Sequence, residues 1–289
     1  MVGKYFRNRG IGVNMKEKYN VIIDTDIGNS WDDQFALAYL LKSEDIFEIK
    51  AITIEPFKHI ESESIFDNQE LSYNEMIKIS QLINKDTENK IYRFNNNKSV
   101  NKIIEIANRS EKTYILAIGA LTNISNAIRK NHSIIDKIEI IWLGGNSIEY
   151  GNNQEFNFMQ DTKAVQDVIN SNVKITIIPA RNVASELMIN ISELESKLDM
   201  NNELSKYLCN RFQNDSFYGV KQERVIWDIS VVAYLRNKNW FKTEENLKLC
   251  VTPKLNYIIN NEKQSNNINI VKYMDRNKIY NDLFNQLNK

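Results

Sequence analysis

The chain has 289 residues, with 37 basic and 37 acidic side chains and a formal net charge of zero. That balance lacks the positive footprint of a nucleic-acid or membrane-surface binder, so neither partner is expected. No apolar run reaches the roughly 18–20 residues of a membrane span, no secretory core opens the chain, and Cys209 and Cys250 lack metal-ligand spacing, so a reduced, cytoplasmic setting is expected.

Residues 1–14 read as a disordered N-terminal extension, with Met15 a possible start, and 15–289 as one domain. Val21 to Asp24 reads as a strand and Asp33 to Leu41 as a helix. Ile49 to Ile54 is the next strand, followed by a polar loop from Glu55 to Gln69 that is expected to act as a mobile lid. Leu71 to Ile83 and Val100 to Asn108 have helical periodicity. Tyr114 to Ile118 is a strand, Leu121 to Arg129 a helix, and Ile138 to Leu143 a strand running into Gly144 and Gly145. Thr162 to Ile169 is helical and Lys174 to Ile178 a strand ending at Pro179. Residues 190–236 look helical, with no clear strand. Lys248 to Val251 and Ile268 to Met274 are strand-like, and a helix closes the chain from Asn277 to Leu287.

Alternating strand and helix argue for an α/β fold: a doubly wound, mostly parallel, open Rossmann-like sheet with a helical excursion in the C-terminal third. The strands are β-branched and nearly uninterrupted, as strands buried on both faces are. Ligand sites in such sheets lie beyond the C-terminal strand ends. The informative residues are therefore Asp24 to Asp33, Glu55 to His59, Gly119 to Asn123, Gly144 to Asn157 and Ala180 to Asn182.

The stretch VIIDTDIGNSWDDQFALAYLL, residues 21–41, carries Asp24, Asp26, Asp32 and Asp33 between two apolar runs. Four carboxylates held so close repel one another unless something offsets them. Capping of the following helix accounts for one or two of them, not for Asp24 and Asp26 at the strand exit. An EF-hand loop requires glycine and glutamate where this chain has Asn29 and Phe35. A phosphatase of the haloacid dehalogenase type needs a later lysine and a distal acid pair, and no convincing set follows. A divalent-metal hydrolase site, with a distant acid joining the loop acids, offsets the charge.

DTDIGNSWDDQFALA resembles the N-terminal signature of the inosine–uridine-preferring nucleoside hydrolases, Asp-x-Asp-Pro-Gly-x-Asp-Asp. Ile27 replaces the proline, and two extra residues precede Asp32. AIGALTNIS (117–125), WLGGN (142–146), EFNFMQD (155–161) and VIWDISVVAYL (225–235) resemble further family segments in family order.

The resemblance implies calcium-dependent hydrolysis of a ribonucleoside to ribose and free base. It implies a Ca2+ held by Asp26, Asp33, Asp228 and the backbone carbonyl of Thr122. Asp32 would be the general base on the attacking water, and Asp24 would support the loop. Glu155 and Asn157 would bind ribose hydroxyls, with a further asparagine among Asn146, Asn152 and Asn153. Homodimers or homotetramers are common in the family. Read without the resemblance, Asp228 could cap the helix from Ile229, Thr122 and Asn123 could cap the helix after Ile118, and Glu155 to Phe158 could be a strand edge.

Two departures bear on substrate. Trp227 stands where many members have a histidine that protonates the leaving base; it could instead stack on the base, as could Trp31, Phe57 or Tyr218. Lys58 or His59 stands where the family has a ribose-binding asparagine, and His59 could reach the site, whereas His132 reads as structural. These departures leave two alternatives: a calcium- and ribose-binding homologue with impaired catalysis, or a hydrolase of an unusual N-riboside. A phosphohydrolase on a similar sheet is weaker, for want of a phosphate-binding loop.

Overall fold

The computed structural model describes residues 18–58, 65–215, 219–260, 262 and 267–289. His59 and Tyr218 therefore lie outside the described residues, as does the proposed N-terminal extension.

Val21-Ile22-Ile23 shows how the chain builds its layers. Successive strand residues face opposite sides. Val21 and Ile23 join one apolar cluster and Ile22 the other, one on each face of the sheet. All three are fully buried in β1 (Tyr19–Thr25). β1 pairs in parallel with β2 (Phe47–Ile54) on one side and with β4 (Thr113–Ala117) on the other. Beyond β2 lies the two-residue β3 (Ile91–Tyr92); beyond β4 lie β5 (Ile138–Leu143) and β6 (Lys174–Ile178). Ile268–Met274 continues the sheet parallel to β6, and Phe241–Leu247 closes that edge antiparallel. The sheet thus has eight strands, seven of them parallel.

Helices cover both faces. The helix α1 (Asp32–Leu41) is buried along its whole length, which is why its sequence is apolar all round from Phe35 onward. It packs with α2 (Ile65–Leu82), α9 (Ile229–Arg236) and α10 (Arg276–Leu287). On the other face α3 (Lys98–Arg109), α4 (Thr122–Lys130) and α6 (Thr162–Asn170) pack in sequence. The short α5 (Phe156–Gln160) precedes α6, and α7 (Ile191–Lys197) and α8 (Glu203–Gln213) form the C-terminal excursion.

From β1 the chain builds outward to β2 and β3, then returns to β4 and builds the other way. The order reverses between β1 and β4, and their C-terminal ends frame the crevice where ligands bind in such sheets.

Four local expectations change. Residues 190–236 are not wholly helical: β7 (Met188–Asn190) pairs antiparallel with Glu223–Val225, and Asn214–Asp215 with Gly219–Val220. Two or three residues are too few to display a strand period. The edge strand Phe241–Leu247 escapes the sequence reading because only Phe241 is buried, so apolar alternation is missing. Helix α2 begins at Ile65, inside the expected loop. Glu155 to Phe158 is not a strand edge: Glu155 N-caps α5, its side chain accepting from the peptides of Asn157 and Phe158.

No helix of the described residues is long and apolar enough to cross a membrane.

Candidate active site

A cavity of about 510 Å3 opens over the β1/β4 crevice. It is lined by Asp26, Asp32, Asp33, Asp228, Glu155, Asn157, Asn146 and Trp227, among others. These come from five places in the chain, joined only by the fold.

Asp32 and Asp33 are the first two residues of α1, and Asp228 immediately precedes α9. Each helix start therefore aims a carboxylate at the same point, where the positive end of the helix dipole favours it. One oxygen from each of Asp32, Asp33 and Asp228 lies within 4.8 Å of the others. Asp228 makes no side-chain cap hydrogen bond to α9, so capping does not explain it. Asp33 accepts from Thr25 Oγ1 at 2.5 Å, and Asp32 accepts from Ser30 Oγ.

Asp26 sits at the exit of β1, against the backbone that leaves β4. A Cβ on Gly119 would stand 3.0 Å from Asp26 Oδ1, so only glycine leaves that approach free of crowding.

All four carboxylates are at most 5% exposed. None has a Lys or Arg nitrogen within 4.0 Å among the described residues. The electrostatic cost appears as raised pKa values. Burial pushes Asp32 up to about 6, with Ser30 pulling the other way. Asp26 is pushed up to about 8 by burial, with repulsion from Asp32, Glu155 and Asp24 adding to it. Burial, then neighbouring carboxylates, carry Asp33 and Asp228 well above the usual range. Desolvated, convergent, hard oxygen donors without a basic partner fit a divalent cation of the calcium or magnesium kind.

Asp24 is placed differently. It is fully buried behind the cavity, where its Oδ1 accepts from Thr53 Oγ1 (2.6 Å) and Asn123 Nδ2 (3.0 Å). Beside it lies Glu55, whose carboxylate accepts from the peptides of Thr122 (2.8 Å) and Asn123 (3.1 Å). Glu55 thus caps α4 from another strand, and Asn123 Nδ2 also donates to the Ile54 carbonyl (2.9 Å). Thr122 does not line the cavity. Its peptide is held by Glu55 and its hydroxyl by Asp161 (3.0 Å), whereas Ile118 at the end of β4 is a lining residue.

Glu155 accepts from the peptides of Gly145 (2.8 Å), Asn157 (3.0 Å) and Phe158 (3.0 Å). Burial still raises its pKa, against those three donors. Asn157 Nδ2 donates to the carbonyls of Ile118 (3.2 Å) and Leu143 (3.0 Å), tying β4 to β5 under the cavity.

Of the three competing asparagines only Asn146 lines the cavity. Asn153 is spent on backbone: its Oδ1 accepts from Asn146 N (2.8 Å) and its Nδ2 donates to Leu255 O (3.0 Å). Asn152 gives its carbonyl to Asn146 Nδ2 and its side chain to Gln154 N.

Trp227 and Trp31 both line the cavity, while Phe57 is buried and does not. One face of the Trp227 ring carries the Arg181 guanidinium, 5.6 Å from the centroid. Trp31 meets Phe212 edge-on at 5.1 Å. His132 lines a separate small cavity with Arg129 and Lys163.

Asn29, Arg181, Lys221 and Arg224 also line the cavity; sequence reasoning gives none of them a role, although Asn29 and Arg181 fall in the strand-end stretches it singles out. Asn29 lies in the lengthened loop, is buried, lines the cavity and leaves Oδ1 without a hydrogen-bond partner. Its place among the extra residues of an acidic loop was the available signal. Arg181 is marked only by its place after the end of β6, and nothing local marks Lys221 or Arg224.

The fold and the site together define a class: an α/β enzyme whose acids converge beyond the strand ends, at the reversal of strand order. A family model described as inosine-uridine preferring nucleoside hydrolase matches residues 59–281. The chain belongs to that family, whose members are enzymes acting on ribonucleosides, small-molecule substrates. The matched span contains Asp228, Glu155 and Asn157, and begins after the first acidic loop.

Solved structures agree over nearly the full length. A plant nucleoside hydrolase superposes with TM-score 0.75 at 15% identity, covering 94% of this chain and 99% of its own. A purine-preferring ribonucleoside hydrolase from Gardnerella vaginalis gives 0.72 at 17%, covering 93% and 98%. An inosine-uridine preferring nucleoside hydrolase from Bacillus anthracis gives 0.73 at 16%, covering 93% and 99%. At such identities the likeness is one of fold. Among curated proteins, none matches the chain by sequence.

Proposed function

We propose that this chain hydrolyses the N-glycosidic bond of ribonucleosides in a calcium-dependent reaction, with Asp32 as general base. The observation that carries the reading is the convergence of Asp32, Asp33 and Asp228 on one buried point beneath a ligand-sized cavity. Asp26, Asp33 and Asp228 would hold the ion. When bound, Ca2+ would offset their charge and polarise the water and sugar hydroxyls beside it.

Asp32 takes the proton of the attacking water. A carboxylate pushed up to about 6 is ionised at neutral pH, yet basic enough to accept a proton there. Ser30 orients it. Departure of the base leaves positive charge on the sugar, as in other glycoside hydrolyses. Asp26 and Glu155 line the cavity where negative charge favours that state. Asn146 and Asn157 hold the strand-end backbone in place around the sugar pocket.

Calorimetric titration with Ca2+ tests the assignment of the ion. One ion per chain is expected, with affinity at least tenfold weaker in Asp228→Asn. Equal affinity in both proteins would remove Asp228 from the site.

The second reading, a calcium- and ribose-binding homologue with impaired catalysis, draws on Trp227. By the resemblance it stands where many members have a proton-donating histidine, and one face of its ring carries the Arg181 guanidinium. Calcium-dependent ribose binding without base release would select that reading.

A further inference from the structure

The cavity is bipolar. Its lining includes five carboxylates, Asp26, Asp32, Asp33, Asp228 and Glu155, yet also Arg181, Lys221 and Arg224, with Glu223 the one further acid among them. Arg181 leaves the end of β6 and is fixed by its backbone. Its N–H donates to Asn146 Oδ1 (3.2 Å) and its carbonyl accepts from Ser147 N (3.4 Å). Its guanidinium lies over Trp227, the residue before Asp228. Arg224 is anchored by Phe212 O (2.6 Å) and Gly219 O, and lies 5.4 Å over the Trp31 ring. Arg181 and Lys221 are exposed, and neither has a carboxylate oxygen within 4.0 Å among the described residues.

Cations at a cavity mouth focus the field and attract anions. A neutral nucleoside offers Arg181 and Lys221 hydroxyls, ring faces and the carbonyl and ring-nitrogen acceptors of its base, all of them uncharged. A phosphate or carboxylate offers charge-assisted bonds, and a guanidinium can make two of them at once.

We propose that the substrate is an anionic N-riboside, whose phosphate or carboxylate docks on Arg181 and Lys221. This rests on the N-ribosyl hydrolase reading above and narrows its substrate class. The anion takes no part in the chemistry. Water oxygen bonds to C1′ and the C1′–N bond breaks, its electron pair leaving on the base nitrogen. The water proton taken by Asp32 balances the one the base gains, so the products are the sugar and the protonated base, with the anionic group unchanged on whichever carried it. A 5′-phosphate would remain on ribose; a ring carboxylate would leave with the base.

The test is kcat/KM for base release in Ca2+ from neutral purine and pyrimidine ribonucleosides, their 5′-monophosphates, and a pyrimidine riboside bearing a ring carboxylate. At least one anionic class is expected to exceed its neutral parent tenfold or more at low salt. Which class wins identifies the position of the anion. Arg181→Ala and Lys221→Ala should each shrink that anionic-to-neutral ratio several-fold, with Arg181→Lys restoring part of it. The preference should also weaken as ionic strength rises. Neutral ribonucleosides preferred, with a ratio unmoved by either alanine variant, would overturn the proposal and leave the hydrolase reading standing. No release from any riboside, with Ca2+ bound, would overturn the hydrolase reading and this proposal with it.

Discussion

At the scale of single residues the site is a problem of charge. Asp32 and Asp33 were legible because four acids between two apolar runs demand an offset, and Asp228 because it opens a helix in a family-like segment. The peptide N–H and hydroxyl of Thr122 are held by Glu55 and Asp161, while Ile118, four residues before the start of α4, lines the cavity. No sequence signal distinguishes which strand-end residue turns inward. Asp32→Asn keeps the shape of the side chain and removes its basicity. Turnover should fall by at least ~10²-fold, the usual worth of general-base catalysis, with thermal stability not lowered. Base release and a melting curve on the same protein check both halves; retained turnover would remove Asp32 from the chemistry. Gly119→Ala probes the neighbouring contact. Its Cβ would stand 3.0 Å from Asp26 Oδ1, tighter than a comfortable contact, so Asp26 must shift. Calcium affinity in a titration should drop while the fold persists.

At the scale of elements, the helix starts do the positioning. Helices α1 and α9 bring Asp32, Asp33 and Asp228 together, and α4 is capped by Glu55 from the end of β2. The long helices and the buried strands could be read directly, because period and burial agree in them. The ribbons at Met188–Asn190 and Glu223–Val225 could not, because three residues carry no period. Glu55 was read as part of an acidic mobile loop. It is buried, and burial, followed by repulsion from Asp24, raises its pKa well above the usual range. Only the tertiary fold shows that it caps a helix 67 residues away. Glu55→Ala leaves the Thr122 and Asn123 peptides without that acceptor, and should cost about 1–3 kcal/mol in urea unfolding. Glu55→Gln keeps a carbonyl acceptor and should lose less than half as much. Equal losses in the two variants would show that the charge, not the cap, is what matters.

At the scale of the whole molecule, the raised carboxylates tie stability to pH and to the cation. Asp24 and Asp32 are pushed up to about 6 and Asp26 to about 8, from an ordinary value of 3.8. Between those values the unfolded chain has released protons that the folded chain still holds. The metal-free protein should therefore lose stability steadily as pH rises from about 4 to about 8, and be more stable at pH 5 than at pH 8. Divalent-cation binding displaces those protons, so Ca2+ should raise the melting temperature more at pH 8 than at pH 5. Melting curves at both values, with Ca2+ and with chelator, check the sign; a calcium shift larger at pH 5 would contradict it. The sheet order was legible only as a class. Its reversal between β1 and β4, which gathers the acids into one crevice, is a property of the assembled fold. The central claim is that these gathered acids run a cation-dependent hydrolysis of an N-riboside. The most direct measurement is base release from a panel of neutral and phosphorylated ribonucleosides, assayed with Ca2+, after chelation, and after Ca2+ is restored. Release should stop with chelator and return with calcium. Release that continues undiminished in chelator, or no release from any riboside by calcium-loaded protein, would contradict it.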